Sequence, residues 1–364
     1  MTDTDPALQG LIDQVKSASA HSLPLDIRGG NTKAFYGESP MGAVLDMRAL
    51  AGVSSYEPTE LVVTVRCGTP LADLEAALAE RGQCLPFEPP HFAPGGTVGG
   101  MVAAGLSGPS RAAVGSVRDY VLGATMLNGR GEVLSFGGQV MKNVAGYDVS
   151  RLLVGSMGML GVILEVSLKV LPVAPASATI RFSFDEATAL KRMNEWAGQP
   201  LPINASAWWN GTLVLRLRGA RTAVKAGIDT LGGELIDADF GAQFWNGLRH
   251  QTDEFFQHAR TALAGGATLW RLSVPSTAAP LGLHGETLVE WGGAQRWLVS
   301  AQSAAQVRDA AQRAGGHATI FQAQDKSAGA FTPLTPALAR VHRDLKASFD
   351  PAGVFNRGRM YNGL

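Results

Sequence analysis

The chain has 364 residues, 31 acidic and 31 basic side chains, and two cysteines. That length sets two domains as the starting expectation, each able to bury a stable interior without metals or disulfides. Balanced charge excludes a net field that recruits nucleic acid or an acidic membrane surface, and Cys67 and Cys84 are too few for an iron–sulfur cluster or a disulfide framework.

The opening "MTDTDPALQG" is acidic and polar where a signal peptide needs basic and then apolar residues, and no apolar run reaches membrane-spanning length. A soluble, cytoplasmic chain is the expectation. Residues 6–20 then read as a helix, followed by a short strand in "LPLDIRGG" that delivers Arg28 to a glycine turn. Two strands, "SSYEP" and "LVVTVRCG", lead to "LADLEAALAERG", a helix with Thr69 as N-cap, Pro70 in its first turn and Gly82 as its stop.

Glycine is the compositional outlier: 44 residues, sixteen of them between Gly95 and Gly161, against an ordinary share of roughly 7%. Glycines weaken helices and strands, so a dense cluster marks backbone that turns sharply or approaches something closely. Within it stand a short helix at "VGGMVAAG", a hairpin turning at Asn128-Gly129 and an alternating strand "VILEVSLKV". The proline-bearing "LPVAPASA" sets a boundary near Val173. Beyond it, hairpins turning at Asn210-Gly211 and at Gly292-Gly293, each followed by a helical pattern (220–231 and 303–314), predict an antiparallel sheet covered by helices on one face. The segment "ALARVHRDLKASFDPAGVFNRGRM" is a helix closed by a Pro-Gly turn. The fold class is α+β, divided as 1–173, 174–335 and 336–364, with the last segment packing back on the first.

Three glycine-rich elements are candidates for a site. "DIRGGNT" can turn its amides inward as an anion nest with Arg28 beside it, although such a turn also occurs with no ligand. "APGGTVGGMVAAGLSG" sets two Gly-Gly pairs around Thr97-Val98 before a small-residue helix. It is not a dinucleotide Rossmann fingerprint, since the G-x-G-x-x-G spacing and the later acidic residue are missing. "KNVAGYDVSRLLVGSMGMLGVI" sets Asn143 and Tyr147 among glycines, Tyr147 being readable equally as a buried structural tyrosine.

Taken as a set, "RGGNT", "GGTVGG", "GSVRDYVLG" and "KNVAGYDVSRLLVGSMGMLGVI" resemble the FAD-binding domain of the vanillyl-alcohol oxidase or p-cresol methylhydroxylase type. With "LWRLSVP", "EWGGAQRWL", "GGHATIF" and "FDPAGVFNRGRMY", the likeness extends over nearly the whole chain and is strongest to the flavin-binding subunits of bacterial glycolate oxidases. The resemblance implies an FAD between two α+β subdomains. Its pyrophosphate would lie on the backbone amides of Gly29, Gly30, Asn31 and Thr32 and of Thr97, Val98, Gly99 and Gly100, with Arg28, Gly95 and Gly96 also in the cofactor site. Ser107, Gly108, Arg118 and Asp119 would flank its ribityl or adenine side, Asn143, Gly146 and Tyr147 would close the pocket, and Gly158, Gly161 and Val162 would sit by the adenosine or flavin. Thr32 stands where covalently flavinylated relatives often carry histidine, so the FAD is expected to be non-covalent. The family's terminal Asn-Pro-Gly is Asn356-Arg357-Gly358 here.

Oxidising a 2-hydroxy acid needs a base for the hydroxyl proton and a cation for the carboxylate. The histidine-rich, metal-binding segment of catalytic relatives is absent, and no metal is expected. Arg271, Arg296 and His317, with Trp291 and Trp297 as apolar walls, are the candidate carboxylate pocket. The same segments also read as strands whose arginines face solvent. The implied function is the FAD-binding subunit of a multi-subunit glycolate oxidase, acting on glycolate or D-lactate. Its implied partners are a homologous FAD-bearing catalytic subunit and an iron–sulfur subunit, with membrane contact only through them. A structural FAD-binding assembly subunit and a stand-alone flavin oxidase are the alternatives.

Overall fold

A computed structural model describes residues 5–138 and 147–364. Its first helix, Pro6–Ala20, starts where the Asp5 carboxylate accepts from the Ala7 and Leu8 amides, filling orphan donors of the first turn. Leu8, Leu11, Val15 and Ala18 recur at helical spacing and pack with Leu25, Leu45 and Leu50. Leu25–Arg28 and Ala43–Asp46 form a two-stranded parallel sheet there.

A five-stranded antiparallel sheet follows, in the order Val53–Glu57, Val62–Arg66, Val162–Lys169, Val121–Leu127, Val133–Gly137. The central strand Val162–Lys169 buries residues on both faces: Val162 and Leu164 meet the first helix's core, while Ile163 and Val166 join Leu71, Leu74 and Val98. Its near-continuous apolar run follows from that two-sided burial, each such side chain contributing about 1.5–3 kcal/mol. The helix Leu71–Ala79 departs from expectation at its start: Pro70 is the N-cap and provides no side-chain bond. Thr69 is drawn instead into the preceding turn, donating to the Arg66 carbonyl and accepting from the Gly52 amide.

From Ala176 to Gln322 an eight-stranded sheet runs in the order Glu234–Ile236, Ala176–Ser183, Thr212–Gly219, Ile203–Trp209, Glu286–Glu290, Gln295–Ser300, Thr268–Ser273, His317–Gln322, with antiparallel pairing at every step. Asn210 and Gly211, at φ 47° and 77°, make the tight turn joining two of its strands, the positive-φ pair a two-residue hairpin needs. Helices cover both faces rather than one. Glu186–Ala197, Arg221–Leu231 and Ala304–Arg313 pack on Leu213, Leu217 and Leu272. Ala238–His250 and Glu254–Ala264 cover the other face through Trp245, Phe255 and Phe256, beside the glycine-rich domain.

Glu88 joins the five-stranded and eight-stranded parts of the fold. Its backbone lies at φ 49°, and its carboxylate accepts from Arg216 at 2.8 Å and Arg218 at 3.1 Å on the eight-stranded sheet and from the Ser110 amide at 3.1 Å. Burial alone would raise this carboxyl, but the arginines and Ser110 hold it below its ordinary value. After the helix Pro336–Phe349, buried Lys346 donates to the Met159 and Phe355 carbonyls and to Asp350. The tail is thereby tied to the first domain. No described helix is long and apolar enough to cross a membrane.

Candidate cofactor cleft and the cavity beside it

Between the small parallel sheet and the five-stranded sheet lies a cleft lined by residues 28–33, Thr97, Gly99, Gly100, Met157, Gly158 and Arg359. Two loops form its floor by close backbone approach. A Cβ on Gly29 would run into the Thr97 side chain, and one on Gly30 into the Gly95 carbonyl. Gly99 lies against Cys67, where a Cβ would stand 2.8 Å from the cysteine's own. These positions require glycine because another backbone or side chain already fills the space.

Among the described residues, the N–H groups of Gly30, Asn31 and Thr32 have no acceptor. Asn31 sits at φ 57°, the kind of turn that aims successive amides at one anion. The second loop behaves differently from expectation. The amides of Val98 and Gly99 donate to the Thr69 and Cys67 carbonyls, and that of Gly100 to Thr97 Oγ1, so among residues 95–100 only Gly95, Gly96 and Thr97 remain open. The helix Val98–Ala104 therefore anchors the loop and offers its first amides to no ligand.

Lys33, which the sequence reading passed over, also lines the cleft. Its ammonium is 3.4 Å from Thr32 Oγ1 and 5.8 Å from the Phe92 ring centroid, with no carboxylate partner among the described residues. Burial pushes it down to about 8, the signature of a cation held ready for an anion. Arg28 is pinned to Asp26 at 2.5 Å. From the tail, Arg359 donates to the carbonyls of Glu38, Lys33 and Ala34. Asn356 accepts from the Ile27 amide at 2.8 Å and donates to the Met157 carbonyl at 2.6 Å. With Arg357 in place of proline, Asn356 still bridges the first strand and the Gly155–Gly161 segment.

Gly158 and Gly161 line the cleft, Gly158 pressed against Asn356. Val162 is sealed in the core. Arg118 and Asp119 stand outside: Arg118 reaches the Val154 carbonyl, and Asp119 accepts from the Ser116 amide in a capping box. Tyr147, 96% exposed, is not a buried tyrosine. Asn143 and Gly146 lie outside the described residues.

Ser107 and Gly108 border a second cavity between the five-stranded and eight-stranded parts of the fold. Phe92 lies on its wall and under Lys33, so the cavity adjoins the cleft. Arg271, opposite Trp297 in the strand register, points into this cavity. Its Nε donates to Gln295 Oε1 at 2.8 Å and its guanidinium lies 5.4 Å from the Trp291 ring centroid. Arg111 covers the same indole at 4.5 Å, a second cation that sequence reading missed. Arg296 pairs with Leu272, one residue out of step, and so faces the opposite side. There its guanidinium donates to the Gly293, Ala279 and Ala278 carbonyls and lies 3.5 Å from Glu186. The expected grouping of Arg271 with Arg296 is thus corrected by the strand pleat. His317 opens the edge strand opposite Ser273, on the side of Arg271, and is exposed. Glu290, also passed over, lines the cavity and accepts from Trp297 Nε1 at 2.6 Å and Gln295 Nε2 at 3.0 Å.

The cleft fits FAD by its own construction: glycines that leave no room for Cβ atoms, amides without acceptors and an unpaired ammonium where a pyrophosphate would lie. A family described as "FAD binding domain" matches residues 8–137. The chain is 50% identical over 356 residues to glycolate oxidase subunit GlcE of Escherichia coli K12, covering 98% of each. It is 31% identical over 164 residues to glycolate oxidase subunit GlcD of Bacillus subtilis, covering 44% of this chain and 35% of that one. An alkyldihydroxyacetonephosphate synthase structure shares the fold with a TM-score of 0.63 at 14% identity, over 96% of this chain and 74% of that one. The chain therefore belongs to the glycolate oxidase GlcE family of FAD-binding flavoproteins.

Proposed function

We propose that this chain is the FAD-binding subunit of a multi-subunit glycolate oxidase and takes part in oxidising glycolate, with D-lactate as a second substrate, to the 2-oxo acid. The observation that carries the reading is the junction of the two hollows: a cleft with open amides and Lys33 adjoins a cavity that presents Arg271. When bound, FAD supplies a two-electron acceptor for the hydride of an alcohol carbon.

The chain's own residues do the rest. Gly29 to Thr32, Gly96 and Thr97 hold the pyrophosphate through their amides, and Lys33 adds charge in a partly desolvated site, where a charge-assisted bond is strong. Asn356 and Arg359 fix the loop so that these donors need no reorganisation on binding. Arg271 keeps its two terminal amino groups free of protein partners and orients a carboxylate, while the Trp297 and Phe321 walls exclude water. His317 stands at the edge of this arrangement. The cofactor is dissociable, because Thr32 cannot form the flavin linkage that histidine forms.

The partners we infer are a homologous FAD-bearing GlcD-type subunit and an iron–sulfur subunit. Two cysteines, one sealed in the core, cannot bind a cluster, so one-electron transfer leaves through another chain. Membrane association comes only through those partners. Anaerobic addition of glycolate to the purified, flavin-loaded chain tests the reading. Bleaching of the oxidised flavin absorption is expected; an unchanged spectrum would assign oxidation to the partner and leave this chain a relay or assembly subunit. Acid precipitation should leave the flavin in the supernatant.

A further inference from the structure

The cavity at the domain junction contains a second polar pole that the carboxylate reading does not use. Glu290 ends one strand of the sheet, is 4% exposed, and faces the cavity together with Arg271, Gln295, Trp297 and Ser107. A bonded chain connects the poles: Arg271 Nε donates to Gln295 Oε1, Gln295 Nε2 donates to Glu290 Oε2, and Trp297 Nε1 donates to the same oxygen. Both bonds to the carboxyl converge on Oε2, and no donor among the described residues reaches Oε1. Oε1 of this cavity-lining carboxyl is therefore open to a hydrogen bond from a bound ligand. At the other pole, the Arg271 amino groups likewise have no partner.

We propose that this cavity binds a small 2-hydroxy monocarboxylate, with Arg271 taking the carboxylate and Glu290 Oε1 taking the 2-hydroxyl. The proposal rests on the reading above and deepens it by assigning the group that recognises the alcohol. Arg271 suits a planar carboxylate through two parallel N–H bonds. A carboxyl opposite it distinguishes an acid carrying a hydroxyl from one carrying hydrogen, because only the former fills the oxygen's vacant bond.

The charge state sets a pH dependence. Glu290 is pushed up to about 7 by burial and by Asp253, against the lowering effects of Trp297, Gln295 and Arg271. Asp253 is itself pushed up to about 6 by burial. Arg249 also borders the cavity, but its guanidinium is committed to Glu75 and the Pro89 carbonyl. Below 7 a protonated Glu290 leaves the Arg271 charge uncompensated and open to an anion. Above 7 the ionised carboxylate repels the ligand's own.

The test is isothermal calorimetry of glycolate and of acetate binding to the FAD-loaded chain, reduced beforehand with dithionite so that no turnover occurs. At pH 6.5 glycolate should bind at least about tenfold tighter than acetate. Both affinities should fall between pH 6.5 and 8.5. Glu290→Gln, isosteric and uncharged, should flatten the pH dependence; Glu290→Leu should bring the two ligands within about twofold; Arg271→Gln should weaken both at least about tenfold. Flavin content checks that each variant is folded, and the comparison of ligands and of pH in the unmodified chain needs no variant. Equal affinity for glycolate and acetate, or binding indifferent to Arg271→Gln, overturns the proposal. If the flavin bleaches with glycolate while the two ligands bind alike, the inference fails and the functional reading stands. If glycolate binds as described and the flavin does not bleach, oxidation by this chain fails and the binding site stands.

Discussion

The cofactor cleft and the junction cavity approach each other where Lys33 lies over Phe92 but are built from opposite materials. The cleft is backbone: Gly29, Gly30 and Gly99 meet Thr97, Gly95 and Cys67 with no space for a Cβ, and its donors are main-chain amides. The cavity is side chain: Arg271, Glu290, Gln295 and Trp297 project from three neighbouring strands, and each depends on register. A backbone site is rigid and tolerates almost no added volume. A side-chain site is adjustable in charge and specificity, because a residue can be exchanged without moving the chain that carries it.

The largest expected effect comes from the joint between them. Glu88→Ala strands the buried Arg216 beside the half-buried Arg218 and should cost about 3–5 kcal/mol, measurable as a lowered denaturation midpoint; an unchanged midpoint would mean the two sheets are held together elsewhere. Gly30→Val should drive a side chain into the Gly95 carbonyl and weaken FAD binding by on the order of 3 kcal/mol, about a hundredfold. The ratio of flavin to protein absorbance reads this directly, and a full complement of flavin would refute the close approach.

Glu290 separates the two regions by pH. Its folded value near 7 lies above the unfolded carboxyl's, so its contribution is fully present below the unfolded value and is lost as pH rises through 7. Glu290→Gln should therefore gain stability relative to the unmodified chain between pH 5 and pH 8, by about 3 kcal/mol at most. Parallel melting curves across that range would contradict it. Lys33→Met should weaken FAD binding about tenfold and remove much of its salt dependence. In the unmodified chain FAD affinity should also fall as pH rises through about 8, where Lys33 loses its proton; a variant retaining that fall would clear Lys33. Smallest of all, Asp119→Ala should cost about 1 kcal/mol through the lost cap and leave flavin content intact.

These contrasts also explain what could be read in the sequence. Hairpin turns at Asn210-Gly211 and Gly292-Gly293 and the glycine loops at Gly29 and Gly95 carry local signals, because turn chemistry and Cβ exclusion act over a few residues, whereas the strand from Val162, read as alternating, is buried on both faces. Which loop amides stay open was not legible. Those of Val98 and Gly99 are taken by Thr69 and Cys67, some thirty residues earlier, through pairing that no spacing reveals. The pairing of Arg271 with Arg296 failed for a related reason. Side chains alternate across a sheet, and a single residue of register sends one arginine to the cavity and the other to a cage of carbonyls. Glu290, in "EWGG", looked like the end of a strand beside a turn; only the fold brings it opposite Arg271. Lys33 was hidden because one lysine after a glycine turn resembles any surface lysine until burial is known.

The measurement that tests the account most directly is an experimental structure of the FAD-loaded chain at a resolution that defines hydrogen bonds. Pyrophosphate oxygens are expected at ~3 Å from the amides of Gly30, Asn31 and Thr32 and from Lys33 Nζ, with the flavin end directed toward Arg271 and Glu290. A pyrophosphate seated instead on the amides of Val98, Gly99 and Gly100, or a flavin end turned away from the junction cavity, would contradict it.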